Sequence, residues 1–203
     1  MQRAAFLLFQ TCLLPLQSLF AVASPEVERA LINFDFAEAD RLIDRIEEPA
    51  IAAYYRPTVH FLHFLIGGSN QEWQAFEQDF DVSTDLIADI SPNDPRRNVL
   101  LAELYFLRGI GKILNDRMVS AALDLRSACR YIERNQMYFP DHPGKQKLLG
   151  VFQVTMASVP QKFQWLTNAL CVPGDGASGR RLLESARQQS DLLPITAEII
   201  LYY

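Results

Sequence analysis

Two histidines stand three residues apart in the run Val59-His60-Phe61-Leu62-His63-Phe64. On a helix, residues at that spacing share a face. Two imidazoles so placed are half of a zinc-type ligand set. No third ligand stands nearby in the sequence, so the pair reads equally as partly buried or groove-lining histidines. Gly174-Asp175-Gly176-Ala177-Ser178-Gly179 matches G-x-G-x-x-G. A dinucleotide fingerprint must follow a strand and open a helix, and the residues before this one, Gln161 to Cys171, read as helix. The sequence therefore predicts an inter-helix loop whose Asp175 or Ser178 caps the next helix. Arg180 and Arg181, with that helix N-terminus, are placed to hold an anion. Glu72, Glu77, Asp79, Asp81, Asp85 and Asp89 form an acidic series without the glycine and terminal glutamate of a calcium loop. They predict a solvated helix face, or a docking face for a basic partner. His142, in Phe139-Pro140-Asp141-His142-Pro143, reads as a solvated loop residue. No nucleophile elbow, zinc-protease pair, metal-spaced cysteine pair or phosphate loop occurs. The expectation is a protein that is not an enzyme and needs no cofactor.

The elements that carry these residues are helices. Pro25, Pro49, Gly67-Gly68, Pro92, Pro95, Pro140, Pro143, Pro160, Pro173 and Pro194 punctuate the chain. Between them apolar residues recur at three and four, and no stretch alternates as a strand. Helices are predicted over Pro25 to Asn33, Asp35 to Glu48, Ala50 to Ile66, Gln71 to Ile90, Arg96 to Leu114 and Val119 to Met137. Others follow near Lys145 to Ser158, Pro160 to Cys171, Ser178 to Gln188 and Pro194 to Tyr203. Asp35 and Glu38 have capping-box spacing. Pro57, which lacks an amide proton, should kink or split its helix.

The first 23 residues read differently. Arg3 precedes an apolar run from Ala4 to Phe20, and Ala21-Val22-Ala23 precedes Ser24-Pro25. This is the pattern of a secretory signal peptide cleaved after Ala23. A spanning anchor needs about 20 predominantly apolar residues, and Gln10, Thr11, Pro15, Gln17 and Ser18 interrupt the run. Cys12 does not sit in a lipobox. The expected location is the periplasm or the outer membrane. The chain of 203 residues carries a net charge of −5. That acidity excludes a basic nucleic-acid face and a polybasic membrane contact. With 49% hydrophobic and 11% aromatic residues, residues 24–203 can bury one core. Export permits a disulfide between Cys129 and Cys171. The plain reading of Cys129, among Ala121, Ala122 and Ala128, is a small buried side chain.

Successive helix pairs suggest repeats. Tyr105, Gly109, Ala121, Leu125 and Ala128 fall at positions 4, 8, 20, 24 and 27 of the tetratricopeptide pattern. Ala39, Ile43 and Ile46 give a weaker match ending at Pro49. The expected fold class is all-α, with antiparallel helix pairs stacked as a degenerate tetratricopeptide-like α-solenoid.

Three stretches also carry a resemblance: Asn33-Phe34-Asp35-Phe36-Ala37-Glu38-Ala39; Ala121 to Arg126 with Tyr131, Asn135 and Phe139-Pro140; and Gly150-Val151-Phe152 with Pro160 to Leu166, Gly174-Asp175 and Gly179 to Glu184. The chain resembles the exported tetratricopeptide-like proteins of Bacteroidetes-type bacteria. The third stretch is similar to a segment of the Iml2 and tetratricopeptide 39 proteins. The resemblance implies a helical-repeat fold and an adaptor or scaffold role, with no catalytic residues. Members of these families are usually longer, so residues 24–203 are expected to be either a whole repeat domain or the N-terminal part of a longer one.

The leading expectation is capture of a protein or peptide in a helix-lined groove. Trp73, Trp165, Phe163, Tyr54 and Tyr55 read as core and helix-helix packing; should a concave groove form, Tyr54, Tyr55, Trp73, Tyr105 and Trp165 are the aromatic residues set against it. The alternative is a structural subunit of an envelope assembly. It would dock through the apolar segment 194–203, where Tyr202 and Tyr203 would make the contact. The second alternative is a small-ligand or metal binder near His60 and His63.

Overall fold

The computed structural model describes residues 24–140, 143–157 and 175–189. Among the described residues the secondary structure is helical throughout: α1 (Pro25–Ile32), α2 (Phe36–Ile43), α3 (Pro49–Gly67), α4 (Asn70–Ala88), α5 (Pro95–Leu114), α6 (Met118–Tyr138), α7 (Pro143–Ala157) and α8 (Gly176–Gln189). The dominant packing joins α1 to α2, α3 to α4, α5 to α6 and α7 to α8. The short connections within the first three pairs turn the chain back on itself. The first helices of successive pairs also touch, α3 on α5 and α5 on α7. This is an all-α helical-repeat arrangement. The expected helices over Pro160 to Cys171 and Pro194 to Tyr203 lie outside the described residues, as does His142.

The repeat register is visible in two turns. Asn33-Phe34-Asp35 joins α1 to α2, and Asn115-Asp116-Arg117 joins α5 to α6. In each the middle residue has positive φ, 57° at Phe34 and 58° at Asp116. In each the third residue's amide reaches back five residues, Asp35 to the Ala30 carbonyl at 2.9 Å and Arg117 to the Lys112 carbonyl at 2.8 Å. This is the Schellman closure of a helix. Aligning the two turns places Ala39 on Ala121 and Ile43 on Leu125, all four buried. That is the register the repeat pattern predicts. Gly109 allows the close approach within the third pair, because a Cβ there would lie 2.8 Å from Leu125 Cγ.

Three local expectations need correction. The helix expected over Asp35 to Glu48 ends at Ile43, with Asp44 as its C-cap. The capping box is half formed: the Asp35 carboxylate accepts from the Glu38 amide at 3.1 Å, but the Glu38 carboxylate turns to Arg41 Nε at 2.8 Å. Pro57 does not split its helix, since α3 runs through it. The reason lies in the neighbouring helix. The missing Pro57 amide would have bonded the Ala53 carbonyl, and Ser83 Oγ of α4 donates to that carbonyl at 2.7 Å. Thr58 Oγ1 also donates to the Tyr54 carbonyl at 2.9 Å. Ser83→Ala should therefore leave a buried carbonyl unpaired and cost about 1–2 kcal/mol. Urea unfolding would detect it, and an unchanged midpoint would remove Ser83 from this role.

The core runs through the helix pairs as a row of rings. Trp73 stacks on Phe76 at 5.1 Å and 16°, and Phe76 meets Phe61 and Phe80 at 5.6 and 6.0 Å. Phe80 meets Tyr105 edge-on at 5.1 Å, and Tyr105 stacks on Tyr131 at 5.7 Å. Cys129 is fully buried, as the plain reading required, but it is disulfide-bonded. The correction is to its chemistry. Helical spacing shows which face holds a cysteine and not what passes against that face. Cys171 lies outside the described residues.

Candidate functional site

A cleft of about 310 Å³ lies between the first half of α3 and the second half of α4. Pro49, Ala52 and Ala53 line one wall, Val82, Ser83 and Leu86 the other, and Arg56 and Asp79 supply charge. Val82 and Leu86 are 61% and 37% exposed. They stand four apart on α4, off the face that buries Trp73, Phe76, Phe80, Ser83 and Ile87. A second apolar line on a helix whose core line is already complete is the sequence signal for them. The Ser83 hydroxyl is spent on the Ala53 carbonyl, so that part of the floor offers apolar surface. Arg56 pairs with Asp44 at 3.0 Å.

The aromatic residues set against the groove lie elsewhere. Tyr54 and Tyr55 are wholly buried and Trp73 is 6% exposed. Of the two readings these three carry, core packing holds and partner-facing does not: each ring falls on the inward face of its helix. Tyr105 is half-buried in the ring row. Trp165, Phe163, Tyr202 and Tyr203 lie outside the described residues.

The two tyrosines form a buried polar cluster. Tyr54 Oη donates to Glu103 Oε2 at 2.6 Å, and Tyr55 Oη donates to Glu28 Oε1 at 3.3 Å. The rings meet edge-on at 4.9 Å, and both glutamates are buried. Burial pushes each phenol well above its ordinary range. The charge of Glu103 adds to this at Tyr54, and that of Glu28 at Tyr55. The native state thus holds these protons where the unfolded chain releases them. The resulting stability is complete below the unfolded phenol pKa and is lost as pH rises past it. Above pH about 10 the unfolding free energy should fall by about 1.4 kcal/mol per pH unit for each tyrosine. Urea melts from pH 9 to 11 would show the slope, and Tyr54→Phe should make it shallower. An equal slope in the variant would contradict the assignment.

His60 and His63 do not converge. His60 Nδ1 lies 2.8 Å from Glu72 Oε2 and its Nε2 3.6 Å from Asp79 Oδ2. His63 stacks on Phe36 at 3.9 Å between centroids. Among the described residues, no group of three or more His, Cys, Asp or Glu side chains is placed to hold a metal ion. The acidic series is less solvated than expected. Glu72 and Asp79 flank His60, Glu77 meets Arg117 at 3.1 Å, and Asp81 lies 3.7 Å from Arg108. Asp85 and Asp89 remain exposed. The glycine-rich segment is a helix cap. Asp175 Oδ1 accepts from the amides of Ser178 and Ala177 at 3.0 and 3.1 Å, which holds its carboxyl below the ordinary range. Gly179 is a packing residue: a Cβ on it would lie 2.8 Å from the Gly150 carbonyl of α7. Arg181 turns to Ser178 Oγ at 2.9 Å.

Sequence reasoning missed one interior site. Asp124 Oδ2 accepts from Lys112 Nζ at 2.6 Å and from Arg108 Nε at 3.0 Å, and Oδ1 accepts from Arg108 Nη2 at 2.7 Å. The Arg108 guanidinium lies 3.6 Å over the Phe80 ring. This cluster ties α4, α5 and α6 together and offers no free cation to a ligand. Among the described residues, no helix is long and apolar enough to cross a membrane. Compared with family models, curated proteins and solved structures, the chain matches none of them.

Proposed function

We propose that this chain is an exported, non-enzymatic helical-repeat adaptor that captures a protein or peptide partner. The cleft between α3 and α4 takes an apolar side chain of that partner, with Arg56 and Asp79 at its charged margin. The observation that carries this reading is the exposed pair Val82 and Leu86 beside an apolar recess. Desolvation of such a recess supplies affinity, and a polar rim supplies direction. The disulfide at Cys129 supports an oxidising compartment, as does the signal-peptide pattern of the first 23 residues. The resemblance to exported tetratricopeptide-like proteins points the same way.

The test is affinity capture from the native envelope, with residues 24–203 and a Val82→Asp/Leu86→Asp double variant as baits. Both side chains are exposed, so the variant should melt within about 1 kcal/mol of the parent. It should lose the partner that the parent retains. Equal retention by a folded variant would sink the cleft. A third bait lacking residues 194–203 separates the assembly-subunit reading, which requires loss with that deletion alone.

A further inference from the structure

We infer that signal-peptide cleavage after Ala23 creates a charge-assisted hydrogen bond: the new α-ammonium of Ser24 docks on the Tyr55 hydroxyl and locks α1 onto the buried Glu28–Tyr55 pair. This rests on the proposed export and cleavage. Three observations carry it. The Ser24 nitrogen already donates to Tyr55 Oη at 3.0 Å across 31 residues of sequence. The same Oη donates to Glu28 Oε1 at 3.3 Å. Glu28 is 6% exposed, on the inward face of α1 beside Val27 and Leu31.

Before cleavage that nitrogen is an amide and brings one neutral hydrogen bond. Hydrolysis of the Ala23–Ser24 bond puts the carboxylate on Ala23 and leaves a primary amine on Ser24. Protonated, the amine keeps the bond to Tyr55 and adds a positive charge within one hydroxyl of a buried carboxylate. Hydrogen bonds with an ionised donor are about twice as strong as neutral ones. The opposing effect is the α1 dipole, which disfavours a cation at its N-terminus. Glu26 and Glu28 in the first turn of α1 offset it. Ser24 is only half-buried, so the ammonium keeps partial hydration while it makes the contact. The first helix pair is then held to the body of the repeat by a group that exists only in the processed chain. The processing step thus acts on folding as well as on transport.

The experiment uses residues 24–203 released with a free Ser24 amine from a removable N-terminal fusion, compared with the same chain acetylated at Nα. The free amine should raise the folding equilibrium constant roughly 10-fold over the acetylated form at pH 6.5. The advantage should disappear above the α-amine pKa of about 8. It should also vanish in Glu28→Gln and fall in Tyr55→Phe, each compared with its own acetylated form. The second variant keeps the test open where the first fails to fold. Equal stability of the free and acetylated chains would overturn the docking. Mass analysis of the exported protein tests the underlying reading separately. An N-terminus other than Ser24 overturns the cleavage, and with it the lock. Ser24 at the terminus with no acetylation effect overturns the lock alone.

Discussion

Asp124→Ala is expected to cost about 3–5 kcal/mol, a large fraction of the stability of a domain this size. The carboxylate is 6% exposed and neutralises two cations at once, Lys112 at 10% exposure and Arg108 at 19%. Removing it leaves a buried ammonium beside a half-sequestered guanidinium, with the Coulomb attraction replaced by repulsion. Arg108 has a partial escape, because Asp81 lies 3.7 Å from its Nη1 and is open to solvent. Among the described residues, Lys112 has no second carboxylate within ion-pair distance. The expectation can be checked against its own cause. Replacing two of the three members in Lys112→Met/Asp124→Leu, which leaves Arg108 to its Asp81 route, should recover part of the loss, because an apolar pair of similar volume is often as stable as the ion pair. Guanidinium melts of the parent and the two variants decide it. If the double variant is as unstable as Asp124→Ala, packing at position 124 and not charge is what matters.

The second large effect is expected at Gly111. A Cβ there would enter the Trp73 indole, 2.6 Å from Cη2 and 2.9 Å from Cε3. The indole also packs against Phe76 at 5.1 Å and Phe64 at 5.4 Å between centroids. It cannot withdraw without disturbing the ring row. Ala favours a helix interior over Gly by about 1 kcal/mol, yet Gly111→Ala should lose about 3 kcal/mol net through overpacking. In the Trp73→Phe background the added methyl finds the space the smaller ring vacates. The same substitution should there be neutral or slightly stabilising. Thermal melts of the four chains give the coupling, and additive effects would show that the glycine serves some other purpose.

Two glycines of α5, Gly109 and Gly111, differ in how much the sequence discloses of them. Gly109 is legible, because it falls at a small-residue position of a repeat pattern and meets Leu125 and Ala121 of the partner helix within its own pair. Gly111 sits two residues on, outside the pattern, and its partner Trp73 comes from the preceding pair. Likewise Asp35 announces its cap locally, while Glu38 is drawn off by Arg41 on the same short helix. Pro57 shows the reverse case. Its own sequence predicts a break, and a hydroxyl 26 residues away removes the reason for one.

Spacing, prolines and caps determine that the chain is helical and where most of the helices lie, and they suggest that neighbours pair. These are local properties, set by which face is apolar and where backbone donors lack partners. Only the tertiary structure decides what each face meets. It buries Tyr54, Tyr55 and Trp73, which residue type alone assigns equally to core or to partner. It separates His60 from His63 by giving each a different neighbour. It leaves Val82 and Leu86 beside an open cleft, and it brings the Ser24 nitrogen to Tyr55. Helical periodicity fixes the direction of a side chain about its own axis. The distance and identity of the group opposite depend on how separate helices cross, and no single helix carries that information.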